Sequence, residues 1–229
     1  VYTEENPKVF YDSMAFWDDL DGIAIGDPTE DCLSIIITRD GGETWNKVDC
    51  SNIPKAIDGE TAFAASNSNI KVMNNKAWVI SGGKSSRIYY TEDRGYTWSV
   101  YNTPLIQGRP TTGGYALDFY NELNGFIIGG DYTEPNLNRK NKAITATGGK
   151  NWSLVSNGSG VGYKSCVQYV PDTGGHFLVA VGKTGISFSK NSGEDWIDLS
   201  SEGFYTIRFL DCNTAYAAGE NRVVKLKFE

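Results

Sequence analysis

Short apolar runs rich in Val, Ile, Tyr and Thr recur along the chain, and Gly, Asp and Asn residues separate them. Clear examples are Ile23–Gly26, Leu33–Thr38, Ala77–Ile80 and Gly125–Ile128. Short runs bounded by turn-forming residues are typical of β-strands, and an Asp-Gly or Asn-Gly pair between two runs is typical of a hairpin. Because such pairs occur at Asp21-Gly22 and Asn124-Gly125, the pattern predicts an all-β chain of antiparallel hairpins.

A pattern that ends in tryptophan occurs four times, at Thr38–Trp45, Thr91–Trp98, Thr145–Trp152 and Ser189–Trp196. From one tryptophan to the next, the copies are 53, 54 and 44 residues apart. Periods of that order are typical of propellers and other repeat arrays. The strands that surround each copy predict four-stranded antiparallel blades, which are the units of a β-propeller.

Each copy has the composition of a tight turn. An Asp or Asn oxygen in the third position accepts hydrogen bonds from backbone N–H groups downstream, a Gly adopts a positive φ, and the Trp covers the turn. The third copy has Thr147 where the Asp stands in the first two. We expect a structural role for the motif, because its own turn occupies the polar side chain. The residues with this role are Asp40, Gly42, Trp45, Asp93, Gly95, Trp98, Gly149, Trp152, Asn191, Gly193 and Trp196.

The repeat predicts one propeller domain over residues 1–229 with five visible blades. Full blades are expected at 13–50, 62–101, 114–155 and 163–199, and an incomplete last blade at 203–229. Residues 1–12 are expected to supply a strand of a preceding or closing blade. Two arrangements are open: this strand completes the last blade and closes a five-bladed ring, or the chain is the later part of a longer propeller.

The motif resembles the Asp-box, or BNR repeat, found in sialidases, some endoglucanase propellers and the sortilin ectodomain. Three further segments resemble bacterial relatives of the photosystem II stability and assembly factor family: Phe16–Asp27, Val79–Gly83 and Ala215–Gly219. The resemblance covers the whole chain but rests on the repeat pattern. It implies a seven-bladed propeller of which this chain would be a part, and it implies little about function.

Composition narrows the classes of partner. The chain carries 28 acidic and 21 basic residues, a net charge of −7, which disfavours a nucleic-acid partner because phosphate contacts need a basic surface. No apolar stretch approaches the ~18 residues of a membrane span. We therefore expect a protein or glycan partner, no nucleic acid and no membrane span.

The four cysteines predict one neighbouring pair. If the first motif turns near Gly41, antiparallel pairing places residues opposite one another when their numbers sum to about 82, as those of Cys32 and Cys50 do. These two are expected to be close enough for a disulfide in an oxidising compartment, and Cys166 and Cys212 to be free. An extracytoplasmic location is the expectation.

Charged loops are predicted to cluster on the face of the propeller opposite the motif hairpins. Binding residues concentrate on loops held by a rigid scaffold, so this loop face is the candidate site. The candidate binding residues are Asp27, Glu30, Lys84, Arg87, Arg109, Asp131, Glu134 and Arg139.

The favoured function is a non-enzymatic binding or assembly propeller that engages a protein or another large partner through the loop face. The alternative is a glycoside hydrolase or a carbohydrate-binding propeller, for which Asp27 and Asp131 would be opposed carboxylates. A structural repeat domain of a larger surface protein is a third possibility. The single histidine, His176, is expected on the motif side, and no metal-ligand spacing or dinucleotide-binding turn is present, so no catalytic residue, metal or cofactor is expected.

Overall fold

A computed structural model describes residues 2–228. In chain order, the first strands are β1 (Tyr11–Phe16), β2 (Gly22–Pro28), β3 (Leu33–Thr38), β4 (Asn46–Lys47), β5 (Glu60–Thr61), β6 (Ile70–Met73), β7 (Lys76–Ile80), β8 (Gly82–Gly83), β9 (Arg87–Thr91) and β10 (Ser99–Asn102). The remaining strands are β11 (Thr112–Phe119), β12 (Gly125–Asp131), β13 (Lys142–Thr145), β14 (Ser153–Leu154), β15 (Cys166–Tyr169), β16 (Leu178–Gly182), β17 (Gly185–Ser189), β18 (Ile197–Ser200), β19 (Thr206–Asp211), β20 (Thr214–Gly219) and β21 (Arg222–Lys227). The protein is all-β, as predicted; a 3₁₀ turn at Cys50–Asn52 is the helical element of the described chain.

The strands form five antiparallel blades in a propeller arrangement. Blade 1 is the sheet β1-β2-β3-β4, blade 2 is β6-β7-β9-β10, and blade 4 is β15-β16-β17-β18. Blade 3 is β11-β12-β13-β14, and the short strands β8 and β5 extend it on its inner side. Blade 5 has three strands, β19-β20-β21. The blades follow the repeats in the sequence, so the predicted fold class is confirmed.

The chain's first described residues lie against blade 1. Lys47 Nζ donates to Glu4 Oε2 at 2.7 Å, and the ring of Tyr2 meets that of Tyr11 edge-on at 6.4 Å. Residues 2–10 contribute no strand to the three-stranded sheet of blade 5.

The cores lie between neighbouring blades. Between blades 1 and 2, branched aliphatic side chains of β2 and β3 pack on Val79 and Tyr89. Between blades 2 and 3, the fully buried Trp78 stacks on Phe119 with 4.0 Å between ring centroids. Its indole N–H donates to Gly148 O at 2.8 Å. Removing this apolar surface from water stabilises each junction, so neighbouring blades hold one another.

The segment 62–69 crosses the centre of the propeller before blade 2 begins; we call it the central segment. Asn67 Oδ1 accepts from Met14 N in blade 1 at 2.8 Å. Ser66 donates to Ser165 O of blade 4 at 2.7 Å and accepts from Thr206 of blade 5 at 3.1 Å through its carbonyl. One segment therefore connects blades that are not neighbours in the sequence.

The four motif hairpins share one hydrogen-bond pattern. In each, the first hydroxyl accepts from the glycine N–H four residues on: Thr38 from Gly42, Thr91 from Gly95, Thr145 from Gly149 and Ser189 from Gly193. The third residue accepts a backbone N–H at 2.9 Å in every copy: Asp40 from Thr44, Asp93 from Thr97, Thr147 from Asn151 and Asn191 from Asp195. Those four glycines have φ between 83° and 93°, a region that L side chains rarely adopt.

Cys32 and Cys50 form a disulfide with their Cα atoms 5.6 Å apart. The predicted contact is confirmed, but its predicted register is wrong by one residue. Strands β3 and β4 pair Ile36 with Lys47 and Ile37 with Asn46, so paired numbers sum to 83. The 3₁₀ turn after β4 begins at Cys50, and its sulfur meets Cys32 from outside the ladder. The other two cysteines are free, as expected.

Candidate binding site at the mouth of the central channel

The innermost strands β1, β6, β11, β15 and β19 all start on the loop face, and we call the opening that they surround there the mouth. A cavity of about 380 Å³ lies in it. Half of its lining residues are tyrosines and one is a lysine: Ala64, Ala65, Tyr115, Tyr132, Tyr163, Ser165, Lys183 and Tyr205. The central segment supplies the two alanines, and the loops and strand starts of blades 3, 4 and 5 supply the rest.

The floor of the mouth is a buried aromatic cluster. The ring of Tyr115 stacks on Phe63 with 4.0 Å between centroids and meets Tyr163 edge-on at 4.8 Å. The Tyr115 hydroxyl donates to Thr111 O at 2.8 Å, which satisfies the polar end of this buried side chain. Burial raises the pKa of Tyr115 and Tyr163 above the usual phenol range, so both remain neutral.

Gly82 makes room for this floor. A Cβ atom at residue 82 would lie 2.2 Å from Cε2 of Phe63, a distance at which the ring must move. The glycine in strand β8 therefore sets the position of Phe63 beneath Tyr115. A side chain at this point would disturb the aromatic stack without touching the cavity itself.

Two tyrosines and a lysine form the accessible rim. Tyr132 is 42% exposed and Tyr205 is 44% exposed. Lys183 Nζ lies 5.8 Å from the ring centroid of Tyr132, within range of a cation–π contact. The rim therefore presents two amphipathic rings and a positive charge to solvent above a rigid floor.

Three of the predicted binding residues come together beside the mouth. Arg109 Nη1 lies 3.1 Å from Glu134 Oε1 and 4.0 Å from Asp131 Oδ2. Arg109 and Glu134 are exposed, whereas Asp131 is 1% exposed. Exposed ion pairs of this kind contribute little to stability, so Arg109 and Glu134 can each bind a charged group of a ligand instead of one another.

The two carboxylates predicted as a hydrolytic pair already accept hydrogen bonds within the protein, Asp27 from the segment at 61–62 and Asp131 from its own loop. Asp27 Oδ1 accepts from Ala62 N at 2.9 Å and also from the Thr61 hydroxyl. Asp131 Oδ1 accepts from the N–H and the hydroxyl of Thr133 at 2.9 and 2.6 Å. Burial raises the pKa of Asp131, but the hydrogen bonds from Thr133 outweigh it and hold that pKa below the usual value.

Arg87 lies in a buried ion pair. It is 8% exposed, and its guanidinium donates to Glu60, to the Tyr89 hydroxyl at 2.7 Å and to Lys55 O at 2.8 Å. Ser81 also donates to Glu60, which completes the shell of that carboxylate. Because removing one partner of a buried pair leaves an uncompensated charge, this cluster holds blade 2 to the segment before it.

The other predicted residues lie farther out on the loop face. Lys84 Nζ is 3.3 Å from Asp58 in an exposed ion pair. Glu30 and Arg139 are exposed, in the β2–β3 and β12–β13 loops respectively. His176 is exposed on the hairpin side, as expected, where its carbonyl accepts from Ser192 N at 2.8 Å.

Sequence reasoning missed the aromatic residues of the mouth. Their signal is a tyrosine one or two residues after a glycine in the lead-in to each later blade: Gly114-Tyr115, Gly162-Tyr163 and Gly203-Phe204-Tyr205. Phe63 has no such signal, because it reaches the mouth only through the path of the central segment.

Comparisons with known proteins support the fold. No family model matches the chain, and no curated protein matches it. A chain of a nidogen–laminin complex is 13% identical, with 95% of this chain and 75% of that one covered and a TM-score of 0.60. The xyloglucanase of glycoside hydrolase family 74 from Xanthomonas campestris is 15% identical with a TM-score of 0.57; 89% of this chain is covered, but only 34% of the enzyme. This chain therefore spans about a third of the xyloglucanase chain.

A structure described as YCF48 bound to D1 peptide is 13% identical over 96% of this chain and 93% of that one, with a TM-score of 0.45. Identities at this level show the β-propeller fold alone, and the last score carries no argument about function. Within residues 2–228, no helix has the length and apolar character needed to cross a membrane. The same residues contain no group of three or more His, Cys, Asp or Glu side chains that could hold a metal ion.

Proposed function

We propose that this propeller is a non-enzymatic binding module whose mouth engages a segment of a protein partner. The observation that carries the proposal is the lining of the 380 Å³ cavity, which is aromatic and basic and includes no carboxylate. A binding surface needs rigid contact area and a few polar groups, whereas a glycosidase needs two carboxyl groups that face the substrate.

The rim has the composition of a protein interface. Tyrosine and arginine are enriched at such interfaces because they combine a large contact area with a polar end. Tyr132 and Tyr205 supply the rings, Lys183 supplies a charge at the cavity, and Arg109 lies next to it with Glu134 as a replaceable partner. A segment with apolar or aromatic residues and an acidic group fits this arrangement best.

Carbohydrate binding is the second candidate. Flat, half-exposed rings such as those of Tyr132 and Tyr205 also suit stacking against the apolar face of a sugar ring. A hydrolase has less support than a carbohydrate-binding propeller, because Asp27 already accepts a hydrogen bond from Ala62 N and Asp131 one from Thr133 N. A glycan array on the purified protein separates the two candidates: retention of glycans that Tyr132→Ala abolishes would replace the protein partner with a glycan.

We also propose an extracytoplasmic location, which the Cys32–Cys50 disulfide supports because such bonds persist in oxidising compartments. The redox state of Cys32 and Cys50 in the source cells tests the proposed location. If rapid alkylation of intact cells labels Cys32 and Cys50 as free thiols, the proposed location is wrong.

The binding proposal is tested by affinity capture from a lysate of the source organism with matched variants. Tyr132→Ala and Tyr205→Ala remove the rim rings, and Tyr96→Ala removes a 70% exposed ring on the hairpin face. We expect one partner to be retained by the wild type and by Tyr96→Ala, and its capture to fall at least about tenfold with either rim variant, a loss of about 1.4 kcal/mol of binding free energy. Equal capture by all four proteins would place the site elsewhere.

A further inference from the structure

A second cavity, of about 640 Å³, lies on the hairpin side of the propeller between blades 3 and 4; we call it the hairpin cavity. The β11–β12 turn and the third motif hairpin border it in blade 3, and the β15–β16 turn and the fourth motif hairpin border it in blade 4. Its volume falls within the about 300–1,000 Å³ of small-molecule sites. The hairpin cavity and the mouth lie on opposite faces and share no lining residue.

The lining of the hairpin cavity carries no formal charge. None of the described residues that line it is Asp, Glu, Lys or Arg, although the chain has 28 acidic and 21 basic residues. The Glu122 carboxylate of the β11–β12 turn pairs with Lys76 of blade 2 and accepts from Asn74, so it points away from the cavity. Lys150 and Lys190 of the two hairpins are exposed and lie outside the lining. A neutral ligand therefore suits this cavity better than an ion.

The third motif copy differs from the others at the positions that border this cavity. Its second and third residues are Ala146 and Thr147, and both line the cavity. Thr147 still accepts the backbone N–H of Asn151 at 2.9 Å, so the turn keeps the pattern of the other copies while its side chains bring no charge to the cavity. The corresponding pairs in the other copies each contain a charged residue: Arg39-Asp40, Glu92-Asp93 and Lys190-Asn191.

Tyr120 supplies a fixed aromatic surface in the hairpin cavity. Its ring is 43% exposed and lies against Gly175, where a Cβ atom would be 2.7 Å from Tyr120 Cδ1. The centroid of the Tyr169 ring lies 6.0 Å from that of Tyr120, with 57° between the ring planes. The glycine and the second ring hold Tyr120 in place and leave part of its surface open. An aromatic surface of this kind packs against apolar C–H groups.

Asparagine side chains near this ring offer both donors and acceptors. Asn121 Oδ1 accepts from Asn124 N at 2.8 Å and from Asn124 Nδ2 at 3.0 Å, which orients both amides. Within residues 2–228, the Nδ2 group of Asn121 and the Oδ1 atom of Asn124 make no hydrogen bond, and neither does the side-chain amide of Asn151. These groups line the cavity and are available to hydroxyls, which both donate and accept.

We propose that the hairpin cavity is a carbohydrate-binding site, separate from the mouth, that takes a short neutral oligosaccharide. The apolar face of one sugar ring packs on Tyr120, and its hydroxyls exchange hydrogen bonds with Asn121, Asn124 and Asn151. A neutral sugar brings no charge that the uncharged lining would leave unpaired, and its hydroxyls satisfy amide groups that need both donors and acceptors. This site can exist whether or not the mouth binds a protein.

Five neutral trisaccharides serve as probes: cellotriose, xylotriose, maltotriose, mannotriose and triacetylchitotriose. Each is titrated into isotope-labelled protein, and the backbone amide signals are followed by NMR. We expect at least one of them to bind with a Kd of about 0.1–5 mM and to shift the signals of residues 120–125, 145–151 and 174–176. The signals of Tyr132, Lys183 and Tyr205 at the mouth should stay unchanged.

Two variants in the hairpin cavity and two outside it locate the binding. Tyr120→Ala removes the ring, and Ala146→Lys gives the third copy the residue type that the fourth copy has in Lys190. Each should weaken binding of the trisaccharide at least about tenfold. Ala146→Lys should leave the Tm unchanged, because the fourth hairpin forms the same turn with a lysine. Tyr96→Ala in the second hairpin and Tyr132→Ala at the mouth should leave the Kd unchanged.

Three results would overturn the proposal. The first is no saturable binding of any of the five sugars up to about 20 mM. The second is equal affinity of Ala146→Lys and the wild type. The third is a set of shifts confined to the mouth, or binding that Tyr132→Ala alone abolishes, because the sugar would then belong to the mouth. Failure of the affinity capture at the mouth changes none of these titrations, so each site can fail without the other.

Discussion

The two faces of this propeller follow opposite rules. On the hairpin face, four turns with different sequences make the same hydrogen bonds at nearly the same lengths. On the loop face, no two loops are alike, and their side chains meet in one mouth with aromatic walls. The repeated hairpins stabilise the blades, whereas the loops that differ from blade to blade form the candidate site.

The difference has a physical cause. In a motif hairpin the polar groups are satisfied within the turn, and the tryptophan N–H of Trp98, Trp152 and Trp196 donates to the glycine carbonyl of its own hairpin. Few polar groups of the hairpins are therefore left to bind a partner. At the mouth, Tyr132, Tyr205 and Lys183 are held by a buried floor but keep accessible surface.

The largest effect is expected where a hairpin is anchored in the core. Trp78→Ala removes a fully buried indole that stacks on Phe119 and donates to Gly148 of the third motif hairpin. We expect a loss of about 4 kcal/mol in the free energy of unfolding. Chemical denaturation measures it. A loss below about 1 kcal/mol would show that this hairpin does not depend on the junction.

A pH-dependent effect is expected beneath the mouth, at Asp12. Burial, followed by the charge of Asp27, raises the pKa of Asp12 to about 7, and Oδ2 of Asp12 is a buried atom without a hydrogen-bond partner. The folded state therefore binds this proton more tightly than the unfolded state, and the free energy of unfolding falls as the pH rises from about 4 to about 7. Asp12→Asn removes that dependence.

We expect Asp12→Asn to stabilise the protein by about 2 kcal/mol at pH 8 and to have no stabilising effect at pH 4. Urea denaturation of both proteins across this pH range provides the comparison. A constant difference at all pH values would mean that Asp12 does not titrate between those limits.

The hairpins themselves allow a finer comparison. The Asp93 carboxylate accepts three short hydrogen bonds, from the N–H and the hydroxyl of Thr97 and from the Thr91 hydroxyl, at 2.6–2.9 Å. The Thr147 hydroxyl makes one short bond, from Asn151 N at 2.9 Å, and two longer ones, with Thr145 Oγ1 at 3.2 Å and to Asn151 O at 3.4 Å. Asp93→Ala should cost about 1 kcal/mol, like a lost helix cap, and Thr147→Ala about half as much. Thermal unfolding of the two variants shows which substitution lowers the stability more. Equal losses would show that the shared backbone pattern, rather than the strength of the side-chain hydrogen bonds, sets the stability of the turn.

The smallest effect on stability is expected at the rim. Tyr132→Ala removes a half-exposed ring and should change the free energy of unfolding by less than about 0.5 kcal/mol. The same denaturation assay measures it beside Trp78→Ala. A loss as large as that of a core residue would make Tyr132 a structural residue and weaken the case for the mouth.

The hairpin face is the part of the fold that the sequence pattern describes in most detail, because its turn chemistry is local. A hydroxyl, a polar acceptor, a glycine and a tryptophan at fixed spacing determine each turn wherever it occurs in the chain. The disulfide was predicted for nearly the same reason: the hairpin brings Cys32 and Cys50 together even though the ladder is one residue out of the assumed register.

The mouth depends on contacts that the sequence pattern does not show. Phe63 reaches Tyr115 only because the central segment crosses the middle of the propeller, and Gly82 leaves room for it. Arg87 and Asp131 are predicted as binding residues because they are charged and lie in loops or at strand ends. In the structure both are buried: Arg87 pairs with Glu60, and Asp131 accepts a hydrogen bond from Thr133. Loop charge alone does not distinguish a solvated binding group from a buried structural one.

The central claim is that the mouth binds and the hairpins hold the fold. Hydrogen exchange of the protein with its captured partner, at saturation, tests this claim most directly. We expect slowed exchange in the segments that contain Tyr132, Lys183 and Tyr205, and unchanged exchange in the hairpins 38–45, 91–98, 145–152 and 189–196. Protection confined to the hairpins, with none at the mouth, would contradict it.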